Sequence, residues 1–252
     1  MPQRPHFRIH AQPDDTTCGP TCLHALYRHY GDPADLASVI AETPVLAGGG
    51  TLGVMLGTHA LRRGYRAHLY TYNLMVFDPT WLSQGPGDPA PPRVGLVEKL
   101  RAQAAAKNDG KLHEATDAYV EFLERGGAIY SVDLAPRLIR RYLDRSTPIL
   151  TGLSATYLYK TAREFGPNDD YDDVRGEPSG HFVVLFGYDA RTDEVLVADP
   201  QQPNPLADEP VYRIPIERVI CAILLGVLTY DANLLIIEPG DAGCRGPSPC
   251  PT

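Results

Sequence analysis

Two apolar segments joined by a short polar turn limit the folds available to this sequence. Residues 181–188 read HFVVLFGY and residues 194–198 read EVLVA, with Asp and Thr residues between them. Runs of β-branched and aromatic residues bounded by turn formers are typical of antiparallel strands. We therefore expect a β-hairpin in the last third of the chain. Further strands are predicted at 148–153 and 234–238, so this part of the chain should form a sheet.

The first part of the chain has a different periodicity. Leu23, Leu26, Tyr27 and Tyr30 recur at the spacing of one helix face, and Gly31 follows them. This pattern predicts a helix that opens at or near Cys18. Other helices are expected at 35–42, 52–63, 94–107, 112–124 and 136–144, with strands at 66–72 and 128–132. Residues 217–228 have no clear periodicity and fit either a helix or a strand, of which we favour the helix. The helices at 94–107 and 112–124 should form an antiparallel hairpin.

Charge and cysteine content exclude several classes of function. The formal net charge is −8, which disfavours binding to nucleic acid or anionic lipid. The longest apolar run, residues 219–228, is roughly half the length that crosses a bilayer. The five cysteines form no dense disulfide framework, and the N-terminal residues lack the apolar core of a secretory signal. We therefore expect a cytoplasmic protein with free thiols.

The segment QPDDTTCGPTC at residues 12–22 carries the strongest chemical signal. A cysteine at a helix start lies where the helix dipole and free backbone N–H groups stabilise a thiolate, so Cys18 is a candidate nucleophile. The same N–H groups are suited to an oxyanion formed during attack on a carbonyl. Gln12 precedes the turn, and its side-chain amide is a candidate second donor to that oxyanion.

A nucleophilic cysteine needs a base, and the base needs a group that orients it. His181 begins the first strand of the predicted hairpin and Asp199 ends the second. Equal spacing on the two sides of the turn places these residues side by side. Their order and spacing predict that His181 is the base for Cys18 and that Asp199 orients the imidazole.

The other polar residues of the sequence predict no metal-binding or nucleotide-binding site. Cys22 lies one helical turn after Cys18, and without a further Cys/His pair it is interpreted as a core thiol. The GGGTLG segment at 48–53 lacks the lysine of a phosphate-binding loop. The acidic residues at 169–173 lack the glycine and terminal glutamate of a calcium loop. We expect no metal and no cofactor.

These motifs resemble those of the papain-like bacteriocin-processing cysteine peptidases, which remove double-glycine leader peptides, and of their stand-alone relatives. The resemblance is carried by Gln12 and by the segments at 15–20, 22–23, 180–189 and 197–200. It implies an α+β papain-like fold, in which an N-terminal helical part with the nucleophile at a helix start packs on a C-terminal antiparallel sheet. It also implies a peptide or protein substrate, a catalytic set of Cys18, His181 and Asp199, and Gln12 in the oxyanion hole.

The resemblance does not cover the whole chain. We expect a single papain-like domain over 1–240, a helical insertion at about 74–134 that includes a Pro-rich loop at 78–92, a second long loop at 156–179, and a disordered tail at 241–252. The leading function is amide or peptide hydrolysis through a thioester acyl-enzyme. An acyltransferase or transglutaminase-like enzyme using the same triad and a non-catalytic peptide-binding module remain alternatives.

Overall fold

Most helices of the protein precede most of its strands. The computed structural model describes residues 7–83, 85–86 and 93–240. Its helices are α1 (Cys18–His29), α2 (Leu36–Glu42), α3 (Gly53–Arg62), α4 (Arg93–Ala106), α5 (Gly110–Glu124), α6 (Pro136–Leu143), α7 (Ala155–Tyr159) and α8 (Ile216–Leu225). Its strands are β1 (Arg66–Thr71), β2 (Ala128–Tyr130), β3 (Ile149–Ser154), β4 (Glu164–Phe165), β5 (Asp170–Tyr171), β6 (Gly180–Asp189), β7 (Glu194–Ala198), β8 (Val211–Pro215) and β9 (Asn233–Glu238).

The main sheet has the strand order β2-β1-β9-β3-β6-β7-β8. Its neighbours are antiparallel except for β1 and β2, which run parallel at one edge. Strands β4 and β5 form a separate small hairpin. The α+β class expected from the papain-like resemblance is confirmed, with the difference that β1 and β2 extend the sheet with strands from the first part of the chain.

Both faces of the sheet are covered, and β6 supplies side chains to both cores. Phe182 and Val184 belong to the core shared with α1, α3 and α5, whereas Val183 and Leu185 belong to the core shared with α6 and α8. Successive side chains of a strand point to opposite faces, so an apolar strand without alternation is buried on both sides. This burial explains the continuous apolar run of β6 and fixes its position in the centre of the fold.

Several predicted elements are found close to their predicted bounds. They include α1, the α4–α5 hairpin, α8 and the β6–β7 hairpin. The predicted loop at 156–179 is wrong in part, because it overlaps α7 and contains the β4–β5 hairpin. Strand β8 was not predicted, because prolines on both sides of it gave residues 200–215 the composition of a loop.

The predicted register of the β6–β7 hairpin also needs correction. The ladder pairs Val184 with Ala198, and an irregularity between Leu185 and Gly187 shifts the register. Asp199 lies beyond the ladder, and its N–H donates to the carbonyl oxygen of Pro210 at 2.9 Å. His181 and Asp199 are therefore not directly opposed across the two strands. Their side chains meet on a diagonal instead.

Helix α5 of the predicted insertion packs against the rest of the fold. It contacts α3, where the ring of Phe122 lies so close to Gly57 that a Cβ on that glycine would be 2.8 Å from it. Among the described residues, no helix combines the length and the apolar character needed to cross a bilayer. The predicted tail at 241–252 and part of the Pro-rich loop lie outside the described residues.

Candidate active site

Cys18 is the first residue of α1, as the sequence predicts. The N-cap residue, Thr17, makes no side-chain hydrogen bond to the first turn, and Pro20 carries no N–H. The backbone N–H groups of Cys18 and Gly19 are therefore without a capping side chain at the positive end of the helix dipole. This end of α1 is suited to hold a thiolate and a developing oxyanion.

The start of α1 lies very close to the neighbouring elements. A Cβ on Gly19 would be 2.7 Å from Cγ2 of Thr51 and 3.2 Å from both Leu56 and Phe182. One turn later, the buried Sγ of Cys22 donates to the carbonyl oxygen of Phe182 at 3.2 Å. Gly19 and Cys22 thus fix α1 against β6, the strand that also carries His181. The predicted core role of Cys22 agrees with its burial and its free thiol.

His181 and Asp199 meet in the interior of the protein. The Nε2 atom of His181 lies 2.8 Å from Oδ1 of Asp199, and the two side chains are 5% and 0% exposed. Because Nε2 faces the carboxylate, Nδ1 is the ring nitrogen left for Cys18. The structure thus brings these two predicted residues together, and Cys18 lines the same cleft as the imidazole.

The Asp199 carboxylate is held by three further donors. Its Oδ2 accepts hydrogen bonds from the hydroxyls of Tyr159 at 2.9 Å and Tyr212 at 2.7 Å. Its Oδ1 accepts a third from the backbone N–H of Gln201 at 3.0 Å. Sequence reasoning missed both tyrosines. The alternation of Val211, Tyr212, Arg213 and Ile214 was a signal for the strand that presents Tyr212.

The charges of this pair are mutually stabilised. Burial opposes an ionised carboxyl at Asp199, but the His181 charge and the hydrogen bonds outweigh it and lower the pKa of Asp199 below its usual value. Burial also opposes a charged imidazole, yet the charge and hydrogen bond of Asp199, together with the nearby Cys18, raise the pKa of His181 to about 10. An imidazolium paired with a carboxylate is therefore the favoured state of the site at neutral pH.

Gln12 lies on the loop before α1, beside the loop that carries Asp199. Its backbone N–H donates to the carbonyl oxygen of Pro200 at 2.9 Å. Its side-chain Nε2 donates to the carbonyl oxygen of Asp14 at 3.0 Å. A side-chain amide has two N–H donors, so one remains for an oxyanion. Gln12 is not among the residues that line the cleft described next, unlike Cys18 and His181.

Cys18 and His181 open onto a cleft of about 640 Å³. One wall is the glycine-rich segment 46–51, which has no lysine of a phosphate-binding loop. Another wall is the first turn of α5, which belongs to the predicted insertion. Gly180 and Thr229 form a third wall of the cleft. They lie so close together that a Cβ on Gly180 would be 2.6 Å from the hydroxyl oxygen of Thr229. The cleft is large enough for several residues of an extended peptide.

The site offers acid, base and nucleophile groups but no clustered metal ligands. Among the residues that the structure describes, no group of three or more His, Cys, Asp or Glu side chains could hold a metal ion. A thiol at a helix start, an imidazole in the same cleft and a buried carboxylate behind the imidazole can carry out covalent chemistry on a carbonyl.

The chain is similar to one family model and to several solved structures. The family model described as Peptidase_C39 like family matches residues 5–214. A comparison with curated proteins gave no match. Among solved structures, the chain is similar to the peptidase domain of Streptococcus ComA, a bi-functional ABC transporter involved in a quorum sensing pathway. That alignment has 13% identity and a TM-score of 0.43, and covers 93% of this chain and 99% of that chain.

Two other solved structures give similar values. One is a double glycine motif protease from an AMS/PCAT transporter in complex with the leader peptide, at 13% identity and a TM-score of 0.43, with 94% of each chain covered. The other, from Bacillus anthracis, is described as a C39-like peptidase. It has 14% identity and a TM-score of 0.46, and the alignment covers 94% of this chain and 96% of that one.

Proposed function

The chain belongs to the Peptidase C39-like family, and from that premise we propose that it is a cysteine peptidase that hydrolyses a peptide bond through a thioester on Cys18. One observation carries the proposal. Cys18, at the start of α1, shares a cleft with His181, whose second ring nitrogen is bound to the buried carboxylate of Asp199. A histidine and a cysteine with only structural roles would not need to share a cleft and to have a buried carboxylate on the far side of the imidazole.

Acylation follows from the geometry. In the favoured state of the site His181 already holds the proton of the Cys18 thiol at Nδ1, so Cys18 attacks the carbonyl carbon of the scissile bond as the thiolate. The negative oxygen that results is stabilised by the N–H groups at the start of α1. Gln12 would be the second donor once its side chain, which donates to Asp14 outside the cleft lining, turns toward Cys18. Collapse of this intermediate breaks the C–N bond, and His181 returns its proton to the departing amine.

Deacylation repeats the sequence with water. His181 removes a proton from the water molecule, whose oxygen attacks the thioester carbonyl, and Cys18 leaves as the thiolate. Asp199 keeps the imidazole in one orientation and stabilises its charge in both halves of the reaction. Tyr159 and Tyr212 act through Asp199, because they bind its second oxygen and touch neither Cys18 nor His181 by hydrogen bond.

A non-catalytic peptide-binding module is less consistent with these residues. Binding a peptide would not require a buried carboxylate that accepts hydrogen bonds from three donors besides the histidine. Burying the charge of Asp199 costs free energy even when the charge is paired. A need to orient His181 as a base accounts for that cost, whereas peptide binding alone does not. The cytoplasmic location expected from the sequence stays a prediction.

The proposal is tested by thiol alkylation followed by mass spectrometry. Iodoacetamide should label Cys18 far faster than the fully buried Cys22, and the His181→Gln variant should slow the labelling of Cys18 without changing that of the exposed Cys221. Equal and slow labelling of Cys18 in both proteins would count against a nucleophilic role. This readout requires no knowledge of the natural substrate.

A further inference from the structure

Asp231 is a buried carboxyl group in the cleft that the proposed reaction does not use. It follows the short helical turn Gly226–Thr229 and precedes β9, beyond the residues that the family model matches. Its side chain is 7% exposed, and it lines the same cleft as Cys18 and His181. A carboxyl group in such a place needs a physical explanation.

One oxygen of Asp231 has a structural role. Oδ1 accepts a hydrogen bond from the backbone N–H of Gly53, the first residue of α3, at 2.9 Å, and another from Nδ2 of Asn233 at 3.0 Å. The N-cap residue of α3, Leu52, has no side chain able to do this. Asp231 thus supplies the missing cap, which any side-chain oxygen at this position would supply.

The second oxygen has no such explanation. No residue in the described part of the chain donates a hydrogen bond to Oδ2 or forms an ion pair with Asp231. The nearby ammonium of Lys111 lies over the ring of Tyr230, 4.7 Å from its centre. Burial raises the pKa of Asp231 to about 7, despite the Gly53 and Asn233 hydrogen bonds and the charge of Lys111. A cation at Oδ2 would compensate this cost of burial.

The other charges of the cleft point to the same kind of ligand. Apart from His181 and Cys18, its walls carry the carboxyl groups of Asp15, Glu114 and Asp231 against the single ammonium of Lys111. With all of these groups ionised, the excess is negative. A low-dielectric cleft with one sign of charge in excess concentrates ligands of the opposite sign.

We propose that Oδ2 of Asp231 forms a subsite for the basic side chain of a lysine or arginine in the peptide substrate, in the cleft that Cys18 and His181 also line. The inference rests on the proposed function for its substrate and deepens it by naming the substrate class. Asp231 is then a specificity-determining residue, with one oxygen fixed to α3 and the other offered to the peptide.

The variant Asp231→Asn isolates the charge. The asparagine oxygen can accept both hydrogen bonds that Oδ1 accepts, and an NH2 group takes the place of Oδ2. The cap of α3 is retained and only the negative charge is lost. Glu114→Gln is the matched control, because it removes one charge from another wall of the same cleft.

The first test measures the cleft without catalysis. In a background with Cys221→Ser, Cys244→Ser and Cys250→Ser, Cys18 is modified by the ethylammonium and ethylsulfonate methanethiosulfonates, and the ratio of the two rate constants is recorded. We expect Asp231→Asn to lower the cation-to-anion ratio by about tenfold, the size of one charge-assisted contact, and Glu114→Gln to lower it less. Equal changes of this ratio in the two variants would show that the summed negative charge of the cleft attracts the cation, and would overturn the subsite at Asp231.

The second test uses peptides. A library in which one lysine is scanned through all positions, with norleucine as the uncharged match, should show one position where lysine raises kcat/KM about tenfold. Asp231→Asn should abolish that preference through KM and leave cleavage of the norleucine peptide in place. Cleavage with no lysine or arginine preference at any position overturns the subsite and leaves the peptidase proposal standing. Failure to cleave any peptide, with Cys18 unreactive, overturns the peptidase proposal instead.

Discussion

Asp199 contacts His181 through one oxygen, at 2.8 Å from Nε2, and keeps its other oxygen for two tyrosine hydroxyls. This division of the carboxylate determines what the histidine can do. Nε2 is engaged by the carboxylate, so proton exchange with Cys18 has to occur at Nδ1. The imidazole therefore exchanges protons through one ring nitrogen only.

Asp199→Asn should therefore impair catalysis more than folding. An asparagine keeps the size of the side chain but removes the charge that stabilises the imidazolium, so we expect kcat to fall about a hundredfold with little change in KM. Steady-state kinetics on a peptide substrate measure this. The exposed Asp208→Asn is the control and should leave kcat unchanged. Equal kinetics for the two variants would remove Asp199 from the mechanism.

Tyr212→Phe tests the support behind Asp199. The phenol O–H donates to Oδ2 at 2.7 Å in a buried setting, and its loss should cost about 1–3 kcal/mol of stability. Because the hydroxyl stabilises the ionised carboxyl, its loss should also move the acid limb of the kcat/KM profile to higher pH. Urea unfolding and a pH–rate profile measure the two effects. Tyr171→Phe, at an exposed position, should change neither. A loss of stability with an unaltered pH profile would show that Tyr212 contributes to packing and does not stabilise the ionised carboxyl of Asp199.

Gly19→Ala should disturb the start of α1. The new Cβ would be 2.7 Å from Thr51, so either the loop or the helix has to move. We expect a loss of about 1–3 kcal/mol in unfolding free energy and slower alkylation of Cys18. Gly95→Ala in α4 is the opposite control, since its Cβ would meet nothing within 4 Å and should stabilise the helix by about 0.5–1 kcal/mol. An unchanged rate of alkylation in Gly19→Ala would contradict the close contact.

The stability of the protein should depend on pH through His181. Its pKa is about 10 in the folded protein and near 6.5 when unfolded, so the folded state binds more protons between these values. The contribution of His181 is complete below pH 6.5 and is lost as the pH rises toward 10, with a slope of at most about 1.4 kcal/mol per pH unit. Urea unfolding between pH 7 and 10 should show the advantage of wild type over His181→Gln shrinking. A constant difference over this range would contradict the paired imidazolium.

Much of the site was accessible from the sequence, because its signals are local. The glycine and proline after Cys18, the helical spacing of Leu23 and Leu26, and the apolar strand after His181 each depend on short stretches of chain. Pairing of His181 with Asp199 followed from one hairpin turn. The irregularity between Leu185 and Gly187 has no signal in the sequence, so the predicted opposition was wrong although the two side chains do meet.

The residues that escaped prediction depend on contacts between distant elements. Tyr159 and Tyr212 reach Asp199 from α7 and β8, and the glycine- and proline-rich stretches around these elements gave them the composition of loops. Asp231 is held by a hydrogen bond from the N-terminus of α3, which lies far from it in sequence. Neither relation produces a motif, since each exists only when the sheet and the helices are assembled.

The central claim, a Cys18 thiolate that forms an acyl-enzyme, is tested most directly by pre-steady-state reaction with p-nitrophenyl acetate. The wild-type protein should release a burst of p-nitrophenolate close to one equivalent, and mass spectrometry should place the acetyl group on Cys18. Cys22→Ala, which alters the neighbouring thiol only, should retain the burst, and Cys18→Ala should lose it. A burst of equal size in Cys18→Ala, or the absence of any burst in folded wild-type protein, would contradict the account.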